Sequence, residues 1–414
     1  MRNRKAPGDR LNPFFKPPEG NVARRQFLGL MAAVTGWTLL GSILHAEEKK
    51  PKDGKGGGDD TSKARGPAFE GDYVLPENLR EYSRLSLILG RATDRSITFS
   101  ILAKEAMEGF LEIGTQKGIY LHKTAVTPLP AGQVVEIPVT DLEPNSEYFY
   151  RIQYRKSGSR EYTYRPEMRF ATQRAPGSTF VFTVQGDSHP ERPQSSHPDL
   201  YARTLQAAAS DKPDFHICIG DDFSVEKYRQ VTPATMAEPY LLQRPFLGLV
   251  GQTAPVFLMN GNHEQASLFN YRQSDVRRDV AVGVQNARNR LYPTPGPDEF
   301  YSGNTESLAD IGLLKDYRAW TWGDALFVIL DNYWHSEVLV DSGYGTKGGG
   351  GGREKKDRDW WGITIGDAQY RWLKKTLESS KARHKFVFAH HVLGSGRGGV
   401  DEADLYEWGG KGKK

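Results

Sequence analysis

The chain has 414 residues, enough for two or three domains and at least one large core, and 38% hydrophobic with 26% charged residues is a soluble globular composition. Its net charge of +4 is local: residues 1–46 hold seven Lys/Arg against two acids, and beyond them 48 basic residues meet 49 acidic ones, so there is no electrostatic case for nucleic-acid binding. Cys218 is the single cysteine, which excludes an intrachain disulfide framework and a thiolate zinc site.

In chain order, residues 1–46 read as an address. Arg24-Arg25 precedes Phe27-Leu28 and an uncharged apolar run to Leu44, the pattern of a twin-arginine export signal, with Gly29 where lysine is common. Cleavage after Leu44-His45-Ala46, with delivery by the twin-arginine export machinery to the periplasm or cell surface, is expected. The 17 residues 28–44 could instead anchor the chain in a membrane if the signal is retained. Residues 47–71 are rich in Gly, Lys and Asp and read as a disordered linker; a second glycine tract, 345–359, reads as a solvated loop.

Residues 72–172 are all-β in pattern. Short alternating runs at 96–103, 109–115, 132–140 and 147–155 are separated by turn residues. Leu142, Pro144 and Tyr148 are spaced like the tyrosine corner of a β-sandwich, in which the phenol hydroxyl bonds back to the backbone.

From 178 to 414 the texture changes. Runs at 180–185, 215–220, 256–260, 325–330 and 385–390 are almost continuously apolar, as expected of strands buried on both faces. Helical patterns at 197–210 and 365–380, the second with Asp367 as the expected N-cap, complete an α/β layered domain.

Each of these strands ends on polar chemistry: Asp187-Ser188-His189, Asp221-Asp222, Asn262-His263-Glu264, Asp331-Asn332 and His390-His391. Carboxyl ends of strands line one crevice in open α/β sheets, so residues two hundred positions apart can converge. Oxygen and imidazole ligands without thiolate suit zinc, manganese or iron. Asp221, with two oxygens on a central strand, could bridge two such ions, and a pair about 3.5–4 Å apart can activate water for in-line attack on phosphorus.

Asp-x-His, Gly-Asp, Gly-Asn-His-Glu and a strand ending in His, in that order, resemble the calcineurin-like metallophosphoesterases; with the preceding fibronectin-III-like sandwich, the resemblance extends to purple acid phosphatases. It implies Asp187, His189 and Asp221 as ligands of a first metal, and Asp221, Asn262 and His390 as ligands of a second. It implies His263 as the group that protonates the leaving oxygen, and hydrolysis of phosphomonoesters or phosphodiesters as the activity. Ser224 stands where purple acid phosphatases carry a tyrosine, and His189 adds an imidazole they lack, so a colourless centre is expected. His391 and His335 are further candidates to face the substrate, Asp222 and Glu264 are expected to accept hydrogen bonds behind the ligands, and His197, His216 and His384 are ordinary. The family also carries a late Gly-His-x-His segment, and no histidine follows His391 here, so a chain truncated ahead of that segment is expected in preference to a degenerate site. The competing reading from another class is a non-catalytic surface or scaffold protein.

Overall fold

The computed structural model describes residues 76–192, 196–226, 228, 230–340 and 363–391. The export signal, the 47–71 linker, the glycine tract and the segment after His391 lie outside the described residues.

The first architecture is a two-sheet β-sandwich. β1 (Leu85–Gly90), β2 (Ile97–Ala103) and β6 (Val134–Val139) form one antiparallel sheet in the order β1-β2-β6. β3 (Met107–Gly114) and β7 (Glu147–Lys156) form the centre of the other, with β4 (His122–Lys123), β5 (Thr127–Leu129), β8 (Thr163–Tyr164) and β9 (Met168–Ala171) at its margins. Strand β7 alternates between buried tyrosines and Ile152 on one side and more exposed, mostly polar residues with Phe149 on the other, the period-two pattern of a sheet with one wet face. The Tyr148 hydroxyl accepts the backbone N–H of Glu143 at 2.7 Å, so the expected tyrosine corner is present, with the phenol as acceptor.

The second architecture is α/β. β10 (Phe182–Gln185), β11 (Phe215–Cys218) and β12 (Val256–Leu258) form a parallel sheet, with the Pro198–Ser210 and Pro233–Gly251 helices as the two crossovers. After β13 (Ser302–Gly303), β14 (Ser307–Leu308) and β15 (Gly312–Leu313) pair as a separate antiparallel hairpin. A second sheet has the order β13-β16-β17-β18: β13, β16 (Arg318–Trp322) and β17 (Ala325–Ile329) are antiparallel neighbours, and β18 (His384–Phe388) joins β17 in parallel after the Gly366–Ser379 helix. Aromatic rings fill the space between the sheets. Phe257 stacks on Trp320 at 4.1 Å, and Phe215 meets Phe327 edge-on at 4.9 Å. Among the described residues no helix is long and apolar enough to cross a membrane.

One hydrophobic cluster runs from the sandwich (Phe99, Leu111, Phe170) into the α/β layers (Phe215, Phe257, Trp320). A fully buried arginine fastens the seam: from the Pro233–Gly251 helix, Arg244 donates to Ser86 Oγ at 3.1 Å and Ser100 O at 2.9 Å in the sandwich, and to Leu291 O. The expectation of Asp367 as N-cap is corrected. The helix begins at Gly366, whose φ of +71° turns the chain, and Asp367 lies in the first turn, where its charge still suits the helix N-terminus.

Candidate metal centre

Two glycines explain how the loops after β11 and β12 come together. A Cβ on Gly220 would lie 2.7 Å from Gly261 N, and one on Gly261 would lie 2.2 Å from Asp221 Oδ1, so only glycine permits this approach. Asp187, His189 and Asp221 have φ values of +55°, +38° and +57°. Three left-handed non-glycine residues at strand ends are strained backbone, and such strain concentrates at functional sites.

The loops converge on the Asp221 carboxylate. Nε2 of His390, His189 and His263 lie 3.4, 3.7 and 3.8 Å from Asp221 Oδ2. His390 Nε2 is also 3.2 Å from Asn262 Oδ1, and the buried Asn262 Nδ2 has no hydrogen-bond partner. Two groups are compact enough for a cation, with ligand atoms within 4.8 Å of one another: His189, Asp221 and His263, and Asp187, Asp221 and His390. All the residues expected as metal ligands are therefore brought together, but the compact groups pair Asp187 with His390 and draw His263 toward His189, a partition the resemblance did not imply.

The opposite ring nitrogens are committed elsewhere. His390 Nδ1 is 2.8 Å from Ile219 O, His189 Nδ1 is 3.1 Å from Glu191 Oε1 and 3.0 Å from Ser224 Oγ, and His263 Nδ1 contacts Glu226 Oε1. With the Nδ1 protons of His189 and His390 held by these acceptors, an incoming cation that displaces their Nε2 protons would meet lone pairs aimed toward Asp221, the arrangement that orients metal-binding imidazoles. The residues fit metal ions on this ground. Ligand separations of 3.2–3.8 Å also suit bonds of about 2.0–2.2 Å around a shared cation.

The electrostatics point the same way. Burial alone would lower His189 and His390, but the Asp221 and Glu191 carboxylates beside His189, and Asp221 and Glu264 beside His390, outweigh it and hold each at about 9. Burial raises Asp222 to about 7 and Glu264 to about 8. Asp221 is held well below the usual carboxylate range by the neighbouring His189 and His390 rings, which outweigh its burial. The cluster is acidic and attracts protons to its imidazoles, positions that cations would otherwise serve.

Glu264 has the supporting role expected of it: its fully buried carboxylate accepts four backbone N–H groups, from Gly261, Asp221, Asp222 and Phe223. Asp222 accepts from Ser188 Oγ at 2.6 Å and Gln185 Nε2 at 3.0 Å. His391 Nδ1 contacts the Tyr333 hydroxyl, and its ring lies 5.1 Å from that of His390, beside the cluster. His335 is a correction. Its Nε2 is 2.6 Å from the buried Asp316 carboxylate and its ring packs on Tyr317, so it is held in an internal ion pair and belongs to neither compact group. Sequence reasoning passed over Glu191, Arg192 and Glu226. Arg192 Nη2 lies 2.7 Å from His263 Nδ1 and 3.5 Å from both Glu226 oxygens. Position was their only signal: Glu191 and Arg192 lie two and three residues after His189, beyond Pro190, and Glu226 lies five residues after Asp221.

Residues 180–410, more than half of the chain, match the sequence model of the calcineurin-like phosphoesterases, and the chain belongs to that family. Among solved structures it is similar to one described as PhoD, at 16% identity and a TM-score of 0.50, over 77% of this chain and 62% of that one. That likeness is one of fold, and this chain spans under two thirds of that relative's length. The third fibronectin III domain of human KIAA0343 protein aligns over 30% of this chain and 98% of its own, at 13% identity and a TM-score of 0.16. No curated protein matches the chain significantly.

Proposed function

We propose that this chain is an exported phosphoester hydrolase in which Asp187, His189, Asp221, Asn262 and His390 hold two metal ions, of zinc, manganese or iron. The observation that supports this most is the inward set of three imidazole Nε2 atoms around one oxygen of Asp221, with every Nδ1 engaged elsewhere. The ions would supply Lewis-acid charge and an acidified water at neutral pH. Asp221 offers one oxygen to the imidazoles while its other accepts His263 N–H at 2.9 Å, which fixes the carboxylate's orientation. His263 is the proton donor to the leaving oxygen, and Glu226, at its Nδ1, holds the ring's orientation and stabilises its charged form. Arg192 brings a guanidinium beside that pair, suited to the oxygens of a phosphoryl group.

The substrate class is phosphomonoesters or phosphodiesters. Chelation followed by manganese or zinc return, assayed on an aryl phosphate and a bis-aryl phosphate, separates the two and tests the metal requirement. Turnover that survives complete chelation would overturn the reading. Export rests on Arg24-Arg25 and the apolar run behind it. Replacement of both arginines by lysine keeps the charge and should stop translocation, because a receptor reads the pair; unchanged export of that variant would contradict it.

A further inference from the structure

Behind the Asp187–His189 turn lies a closed set of side-chain hydrogen bonds to which the proposed chemistry assigns no role. Ser188 Oγ donates to Asp222 Oδ1 at 2.6 Å and accepts from Gln243 Nε2 at 2.7 Å. The second Gln243 amide hydrogen goes to Asp222 O at 3.0 Å. Gln185 Nε2 donates to Asp222 Oδ1 at 3.0 Å and to the Tyr201 hydroxyl at 2.9 Å, and that hydroxyl donates to Gln243 Oε1 at 3.2 Å. Every hydrogen on these four donor groups has an acceptor, so the ring has one consistent direction that ends on Asp222. Asp222 and Gln243 are 1% and 0% exposed. Both donors to the Asp222 carboxylate, Ser188 and Gln185, meet at Oδ1, while Oδ2 is buried without a partner, so removing one donor leaves further buried polar atoms unpaired.

The ring is placed to act on the turn. Gln185 is the last residue of β10, Tyr201 belongs to the Pro198–Ser210 helix, Asp222 follows the bridging candidate Asp221, and Gln243 belongs to the Pro233–Gly251 helix. Ser188 alone belongs to the turn, between two candidate ligands that both have left-handed backbone. The Glu264 carboxylate, by contrast, gathers N–H groups only from the loops after β11 and β12. We infer that Ser188 is a positioning residue: through Asp222 and Gln243 it locks the turn that presents Asp187 and His189, and so sets metal affinity on the β10 side of the centre. This rests on the metal-centre reading above.

The test is manganese titration of the chelated full chain, read from the electron paramagnetic resonance signal of free Mn²⁺, for wild type, Ser188→Ala and Gln243→Leu. The second variant breaks the same lock from the helix side without touching the turn. Thermal unfolding of each metal-free protein is measured alongside, and titrations are run well below the transition. Loss of an orienting partner typically weakens metal binding about 10–100-fold. That loss is expected for at least one Mn²⁺ in both variants. Wild-type affinity in both, whatever their melting temperatures, would show the ring to be structural and overturn the inference. A wild-type chain that takes up no Mn²⁺ would instead overturn the metal-centre reading itself, and the two failures are distinct.

Discussion

Replacing Glu264 by glutamine changes one buried atom's charge and hydrogens while keeping the side chain's shape. In the native chain Oε1 accepts the N–H groups of Asp222 and Phe223 at 2.9 and 3.3 Å, and Oε2 those of Gly261 and Asp221 at 2.6 and 3.1 Å. An amide has one acceptor oxygen, so in either orientation its NH2 group faces two backbone N–H groups that lose their acceptor. At about 1–3 kcal/mol for each buried unsatisfied donor, the cost is about 2–6 kcal/mol. Relief of a carboxylate buried near Asp221 and Asp222 moves the net effect toward the lower end of that range. Guanidinium unfolding of the metal-free protein, followed by tryptophan fluorescence, measures it. A Glu264→Gln variant within about 0.5 kcal/mol of wild type would refute the claim that this carboxylate ties the two loops together, since surface-like substitutions stay within that margin.

Replacing His263 by alanine should leave metal content unchanged and slow turnover by about 10²–10⁴-fold, the range for a positioned proton donor; loss of metal, read by elemental analysis, would make it a ligand, as the compact group with His189 and Asp221 would allow. His189 and His390 sit at about 9 in the metal-free protein, above the unfolded value of 6.5, so the stability they contribute is complete below pH 6.5 and lost as pH rises through 9. Metal binding at pH 7.5 should therefore release protons, seen as a calorimetric enthalpy that changes with the buffer's ionisation enthalpy; a buffer-independent enthalpy contradicts it. Arg244→Met strips buried acceptors at Ser100 and Leu291 of their donor and should cost about 2–5 kcal/mol, with sandwich and α/β layers still unfolding in one transition because they share a core. Two separated transitions in wild type would refute the shared core.

The strands were legible because an apolar run bounded by glycine or proline has few other readings: β10, β11, β12 and β17 fall within the expected runs and β18 starts one residue early. Only β11, β12 and β17 are buried throughout, and Val184 of β10 and Phe386 of β18 are exposed, against the expectation of burial on both faces. Their polar ends named the centre for the same reason, since a buried strand that stops on Asp, Asn or His needs something for those groups to meet. The Pro233–Gly251 helix escaped notice because Pro239 and Pro245 lie inside it and most of one half is buried, which erases the amphipathic period. The Val276–Leu291 helix has no counterpart among the expected helices, although Asp275 caps it by accepting Arg277 N–H at 3.0 Å. His335 looked like a crevice residue because it follows a strand end; only the fold places Asp316 against it. Glu226 and Arg192 could not be assigned because their partner, His263, is remote in sequence.

The two supports of the centre are unequal, and that fixes the order in which it should loosen. On the β11–β12 side, the amides of Asp221, Asp222, Phe223 and Gly261 all end on a single carboxylate that is 0% exposed. On the β10 side, Asp187 is exposed, its amide bonds to Gly220 O at 3.0 Å, and the turn is held through Ser188 and the His189 ring. Opening the first side deprives four backbone amides of their shared buried acceptor, whereas opening the second mainly releases left-handed backbone at residues 187 and 189. In metal-free protein, hydrogen exchange should therefore be faster over residues 186–192 than over 219–224 and 258–264. Added Mn²⁺ should slow the first segment most, because it carries two candidate ligands that the cation would tie to Asp221 more tightly than the 3.7 Å His189–Asp221 contact does. Equal protection of all three segments without metal would refute this order, and with it the idea that the β10 turn is the adjustable side of the centre.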